Sequence, residues 1–278
     1  KGFPGWHLEC SCMSTKYLGP QFDIHGGGMD LKFPHHECEV AQGKALNGVD
    51  PVRYWMHANM LTVNGQKMSK SLGNSFLPGE LFAGDHPLLD QAYSPMTVRF
   101  FMLQSQYRST LDFSNEALKA AQKGYRRLVN GLRIAKTLQF ENGDQPLDEK
   151  KATEIRNALD GFYKAMGDDL NTAVAIAELF TLLKYVNMLQ TGQLHPSALG
   201  ETLFIELKDS FVSFMQDLLG LVEEQPTGDE MLKGMLNLYK EFKEAKQYDK
   251  VDEIRSYFKS QGLVIRDLKT RIDWAYDE

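Results

Sequence analysis

The spacing of apolar positions changes about a quarter of the way along the chain. Residues 6–18, WHLECSCMSTKYL, predict a short amphipathic helix that stops at Gly19-Pro20. FDIH, residues 22–25, reads as a buried strand leading straight into Gly26-Gly27-Gly28. A helix is expected over 34–46, with Pro34 at its first position, where a missing N–H costs nothing. VRYWMHANMLTV, residues 52–63, has the aromatic and apolar content of a strand, and Asn64-Gly65 predicts a tight turn. From about Leu77 the period becomes helical. Helices are expected over 95–108, 114–140, 149–166, 171–189 and 203–221. Ser114-Asn115-Glu116 and the run 168–172, DDLNT, supply cap signals. EEQPTGDE, residues 223–230, is the best linker, followed by helices near 229–244 and 249–261 and a short LVIRDL strand.

Composition narrows the class. The 278 residues are 42% hydrophobic and 24% charged, a globular balance with room for one large domain or several small ones. No window reaches the roughly 18 apolar residues of a membrane span. No signal-peptide pattern is present, so the expected location is the cytosol and no membrane partner is implied. The net charge of −6 gives no global case for nucleic-acid binding, but Lys119, Lys123, Arg126, Arg127, Arg133 and Lys136 crowd one helix. Three cysteines do not make a disulfide framework. The chain opens at Lys1 directly into dense motif material and reads as the C-terminal part of something longer.

Two stretches carry chemistry. In FPHHECEVAQ, His35 and Glu39 stand four residues apart and share one helical face; His36 and Glu37 rotate off it. Cys10 and Cys12 lie upstream, and Cys10, His35 and Glu39 offer the thiolate, imidazole and carboxylate that zinc accepts. A buried histidine–glutamate pair reads the same residues without a metal. The triple glycine fits either a close approach of backbone to a ligand or a plain turn. The run 67–71, KMSKS, places two lysines three apart in a serine-rich loop, a basic clamp suited to phosphate oxygens and to charge on a leaving pyrophosphate.

Taken together, GWHLECSCMS, FDIHGGGMDLKFPHHECEVAQ, YWMH and KMSKSLGN resemble the class I cysteinyl-tRNA synthetase family. PMTVRFFMLQSQYRSTLDFS, DDLNTAVAIAEL and the stretch KEAKQYDKVDEIRSYFKSQGLVIRDL extend the resemblance over nearly the whole chain. It implies a mostly α fold with a small α/β part: the second half of a Rossmann-type nucleotide-binding domain (1–62), a KMSKS and stem-contact region (63–113), a helical bundle against tRNA (114–222) and a small α+β anticodon domain (229–278). It also implies activation of L-cysteine by ATP with Mg2+, transfer to tRNA(Cys), and a zinc ion that selects the thiol. Cys10, His35 and Glu39 take the family's ligand positions. The fourth ligand, a cysteine, and the HIGH-type ATP motif lie upstream in the family, so this chain alone is expected to be inactive.

The same resemblance assigns Lys70 and Lys67 to catalysis. It places Lys67, Met68, Ser69, Lys70, Ser71, Gly26, Gly27 and Asp30 at ATP, and Trp6 and His25 at the amino acid. Cys38 stands where the family's run has asparagine. Trp274, Arg266 and Arg271 are candidates for anticodon contact. A monomer is favoured. Two other readings remain: a ligase of the same superfamily joining cysteine to an amino sugar, which the KQYDKVDEIR tail disfavours, and a non-catalytic zinc or RNA-binding module.

Overall fold

The computed structural model describes residues 4–224, 229–268 and 272–277. The chain divides into two compact units, Lys1–Leu77 with Ser105–Ser114, and Pro78–Gln104 with Asn115–Glu278.

The first unit begins with α1 (Trp6–Leu18), β1 (Phe22–Gly28), a 3-10 turn (Met29–Leu31), a π turn (Lys32–His36), α2 (Glu37–Asn47) and β2 (Val52–Ala58). β1 and β2 pair in parallel, from Phe22 opposite Val52 to Gly28 opposite Ala58. Parallel pairing needs a crossover, and α2 supplies it. Two expectations change here. FDIH is not buried, since Ile24 is 58% exposed. The three glycines continue the strand rather than ending it, because each has a backbone partner on β2. The helix over 34–46 is present: the extended Phe33 lies just ahead of it, and its first turn is wound as a π turn before the regular helix from Glu37.

The expected 52–63 strand is also interrupted. Asn59 and Met60 separate β2 from β3 (Leu61–Val63), which pairs with β4 (Gln66–Lys67) and, in parallel, with β5 (Leu111–Phe113). Asn64 and Gly65, with φ of 50° and 75°, make the tight turn between β3 and β4. Positive φ at both central residues is what a two-residue hairpin of this hand requires. Of the buried apolar side chains described, only Pro51, Val52, Val63 and Phe113 belong to this unit, so it has little core of its own.

The second unit is helical: α3 (Pro78–Ala83), α4 (Pro95–Leu103), α5 (Asn115–Thr137), α6 (Glu149–Gly167), α7 (Thr172–Thr191) and α8 (Glu201–Ser213). Ser94 caps α4 with Pro95 as its first residue, Asp148 caps α6, and Asn171 caps α7 as expected. α8 does not run on to 221 but gives way to a π turn at Phe214–Leu218, where Phe214 stacks on Phe162 at 3.7 Å. α7 is long and apolar enough to cross a membrane by length and composition. Its apolarity serves the core instead: Leu179, Leu182 and Val186 are fully buried.

The C-terminal part comprises α9 (Asp229–Glu244), α10 (Tyr248–Ser260) and an antiparallel hairpin, β6 (Leu263–Asp267) with β7 (Ile272–Tyr276). The second strand was not expected. Half of the expected linker, residues 225–228, and Arg271 lie outside the described residues. The hairpin docks on α5. Asn130, 3% exposed, exchanges hydrogen bonds with the Tyr276 backbone, and the Tyr276 hydroxyl donates to the Glu224 carbonyl at 2.6 Å. Arg133 lies 3.6 Å over the Trp274 ring and pairs with Asp273. Two sequence readings are thereby corrected. Trp274 is 7% exposed and packs with Phe258 and Leu263, so it cannot stack on a base. The basic run on α5 is partly spent inside the unit: Lys119 pairs with Asp90, Arg126 donates to the Asp277 carbonyl, and Arg133 holds the hairpin. Lys123, Arg127 and Lys136 stay exposed.

This docking predicts an alkaline instability. Burial, reinforced by the Glu223 carboxylate, pushes the Tyr276 phenol from 10.0 up to about 12. In the unfolded chain it ionises at the lower value. Stability is therefore present below pH 10 and falls as pH rises from 10 to about 12. Urea titrations across that range should show the fall. Tyr276→Phe should make it shallower while costing about 1 kcal/mol at neutral pH for the lost hydrogen bond.

Candidate metal and phosphate site

Several elements of the first unit converge on Glu39. α1 brings His7 and Cys10, β1 brings His25, the π turn brings His35 and His36, and β2 brings Trp55 and His57. His25 and Trp55 are partners across the parallel pair, and their rings stack at 4.7 Å. His36 lies 4.7 Å from Trp55, and its Nδ1 is 2.8 Å from Nε2 of His57. Gly27 makes this approach possible, because a Cβ there would sit 2.6 Å from the His36 ring. Gln42 ties α1 to α2, accepting from Ser11 at 2.6 Å and meeting His7 Nδ1 at 2.9 Å.

The His35 and Glu39 pairing holds: His35 Nε2 is 2.9 Å from Glu39 Oε1. His25 Nδ1 is 3.4 Å from the other carboxylate oxygen. Neither contact is aligned as a hydrogen bond, so Glu39 Oε1 and His25 Nδ1 are buried without a hydrogen-bond partner. Buried polar atoms seldom stay unsatisfied, and one physical answer is a ligand between them. Two donor sets lie within 4.8 Å: Cys10, His35 and Glu39, and His25, His36 and Glu39. The first is the predicted set. The second corrects the expectation that His36 points away: three positions before Glu39 on the same helical run, it lies beside it and is 4% exposed. Sulfur, imidazole and carboxylate donors fit a zinc ion. Cys12 is exposed and in neither set, and Cys38 is half-buried and likewise outside them.

Electrostatics follow from burial. It raises the Glu39 carboxyl, an effect opposed but not cancelled by His25 and His35. It also raises the Cys10 thiol, with help from the Glu39 and Glu9 charges. Burial, then the neighbouring His25, His57 and His35, holds His36 down at about 4, so it is neutral at pH 7. Sequence reasoning missed His7, His36, Gln42, Trp55 and His57. Trp55 and His57 were findable, since two residues apart on a strand they share a face.

The remaining predicted residues lie apart from that cluster in role. Trp6 is 77% exposed on α1, and Asp30 is exposed on the 3-10 turn. Gly26 lies in β1 opposite Met56. In the KMSKS run, Lys67 ends β4, Met68 is half-buried, and Lys70 and Ser71 form a 3-10 turn with Leu72. Ser69 caps that turn by accepting from the Leu72 N–H and contacts the Ser71 hydroxyl at 3.2 Å. Asp112 braces the preceding hairpin, accepting from Thr62 at 2.6 Å and from the Gly65 N–H at 2.7 Å. Lys67 and Lys70 are exposed, and among the described residues nothing pairs with their ammonium groups.

Residues 1–123 match the family described as tRNA synthetases class I (C) catalytic domain, and residues 161–223 match the DALR domain. The chain is 56% identical over its whole length to the cysteine–tRNA ligase of Cytophaga hutchinsonii, covering 56% of that protein. It is 46% identical to that of Porphyromonas gingivalis, with 98% of the chain and 55% of the relative covered. The chain thus spans little more than half the length of the curated relatives it matches. Among solved structures, a ternary complex of Agrobacterium radiobacter K84 LeuRS with tRNA and LeuAMS aligns with a TM-score of 0.49 and 18% identity, over 71% of this chain and 27% of that one.

The buried carboxylate makes a checkable prediction. Because folding raises the Glu39 pKa, its charged form costs stability at neutral pH. In metal-free buffer Glu39→Gln should raise the melting temperature. Added zinc should raise that of the wild type and leave Glu39→Gln little changed. A variant less stable than wild type without metal would contradict this account.

Proposed function

Because this chain belongs to the class I cysteinyl-tRNA synthetase family, we propose that the protein containing it activates L-cysteine with ATP and Mg2+ and transfers it to tRNA(Cys). The observation that carries the reading is the 56% identity along the entire chain to a cysteine–tRNA ligase. The convergence of Cys10, His35 and Glu39 supports the choice of amino acid. Those three would hold a zinc ion, with the remaining ligand supplied from elsewhere in a protein of the relatives' length. Bound there, zinc supplies a soft Lewis acid that prefers a thiolate to a hydroxyl, and so distinguishes cysteine from serine without relying on shape.

The chain's own residues do the rest. His25, stacked on Trp55, and His36, tilted against it, wall one side of the donor cluster. A neutral His36 keeps a full positive charge away from the pocket, favouring the approach of an ammonium-bearing substrate. Lys67 and Lys70, free of internal partners, are available to the phosphates of ATP. Lys70 stabilises charge that develops on departing pyrophosphate, a contribution strongest in the transition state. Met68, Ser69 and Ser71 shape the loop at the nucleotide, with Gly26, Gly27 and Asp30 beside the adenosine and Trp6 near the amino acid. On the helical unit, the exposed Lys123 and Lys136 are available to RNA phosphates.

The full-length protein should catalyse cysteine-dependent ATP–pyrophosphate exchange, and its absence would defeat this reading. Lys70→Ala should lower the exchange rate by about a hundredfold or more with little change in the KM for cysteine. Cys10→Ser should reduce bound zinc and raise misactivation of serine relative to cysteine.

A further inference from the structure

Among the described residues the two lysines of the KMSKS run have no side-chain partner, so their placement rests on the backbone beneath them. That backbone is held by one buried side chain. Asn74 is 7% exposed although most residues around it are exposed. Its Oδ1 accepts from the Ser69 N–H at 2.8 Å, and its Nδ2 donates to the Lys67 carbonyl at 3.1 Å. Gly73, at φ 65°, turns the chain back so that Asn74 lies under the loop it follows, and the Gly73 N–H closes the turn on the Lys70 carbonyl at 3.1 Å.

We propose that Asn74 is a positioning residue for the phosphate chemistry of this loop: by clamping the Lys67 carbonyl to the Ser69 N–H, it sets the spacing at which Lys67 and Lys70 are presented. The role rests on the function proposed above. The chemistry selects asparagine. The site needs one donor and one acceptor on a short planar group. Aspartate lacks the donor and would set its charge against the Lys67 carbonyl. Alanine would leave the Ser69 N–H and the Lys67 carbonyl without the partner that joins them. Asn74 reaches neither lysine's ammonium group in any contact described, so it acts through the loop and not on substrate.

The test uses the full-length protein with Asn74→Ala and the near-isosteric Asn74→Asp. Both should lower the maximal rate of cysteine-dependent ATP–pyrophosphate exchange by between about tenfold and a hundredfold. The KM for cysteine, and the rate of transfer to tRNA from preformed cysteinyl adenylate, should be unchanged, because neither uses the pyrophosphate clamp. Hydrogen exchange at the Ser69 amide should quicken in both. Unchanged exchange kinetics in either folded variant would overturn the role. An equal loss in the transfer step would overturn it too, by reducing Asn74 to a general structural residue. A wild-type protein without exchange activity would overturn the function itself and this role with it, a result visible before any variant is made.

Discussion

A carboxylate taken out of water costs free energy unless something offsets its charge, and the first unit is arranged around that requirement at Glu39. Two histidines face its oxygens at 2.9 and 3.4 Å, and neither satisfies it as a hydrogen bond. α1, β1, the π turn and α2 are all needed to surround it. A cation held there would convert the unfavourable burial into a strong interaction, which gives the donor set a physical reason to exist. Without it, this part of the chain is a small sheet with few buried apolar side chains.

The helical unit solves a different problem. α5 packs one face into the core through Leu128, Val129 and Leu132, and receives the C-terminal hairpin through Asn130 and Arg133. Arg133 covers the Trp274 ring and pairs with Asp273, so one side chain joins segments 140 residues apart. Arginine suits this because its planar guanidinium stacks and hydrogen-bonds at once.

Local signals in the chain were legible where they were short-range. The four-residue spacing of His35 and Glu39, the Asn64-Gly65 turn, the cap at Asn171 and the start of α4 at residue 95 all depend on neighbours within one or two turns. The readings that failed depended on distant partners. Charge on α5 looked solvated because Asp90, Asp273 and Asp277 lie far off in sequence. Trp274 looked available because the pattern of β7 does not reveal that Arg133 and Phe258 enclose it. His36 was assigned to the wrong side because only the four-residue spacing was weighed, while a residue three positions before Glu39 is its helical neighbour as well. Asn74 stood at the end of a recognised motif with no role attached, since only the fold brings it back under Lys67 and Ser69.

The parallel pairing of β1 and β2 has a consequence for how the site comes into being. His25 reaches Glu39 only while it stands opposite Trp55. Side chains alternate faces along a strand, so a slip of one position would send the His25 ring to the far side. The pairing itself closes only after the whole crossover through α2 has formed, a non-local and therefore slow event. Affinity for a divalent ion is in this sense a register gauge: a chain that has mispaired its strands holds the same ligands in its sequence and cannot assemble them.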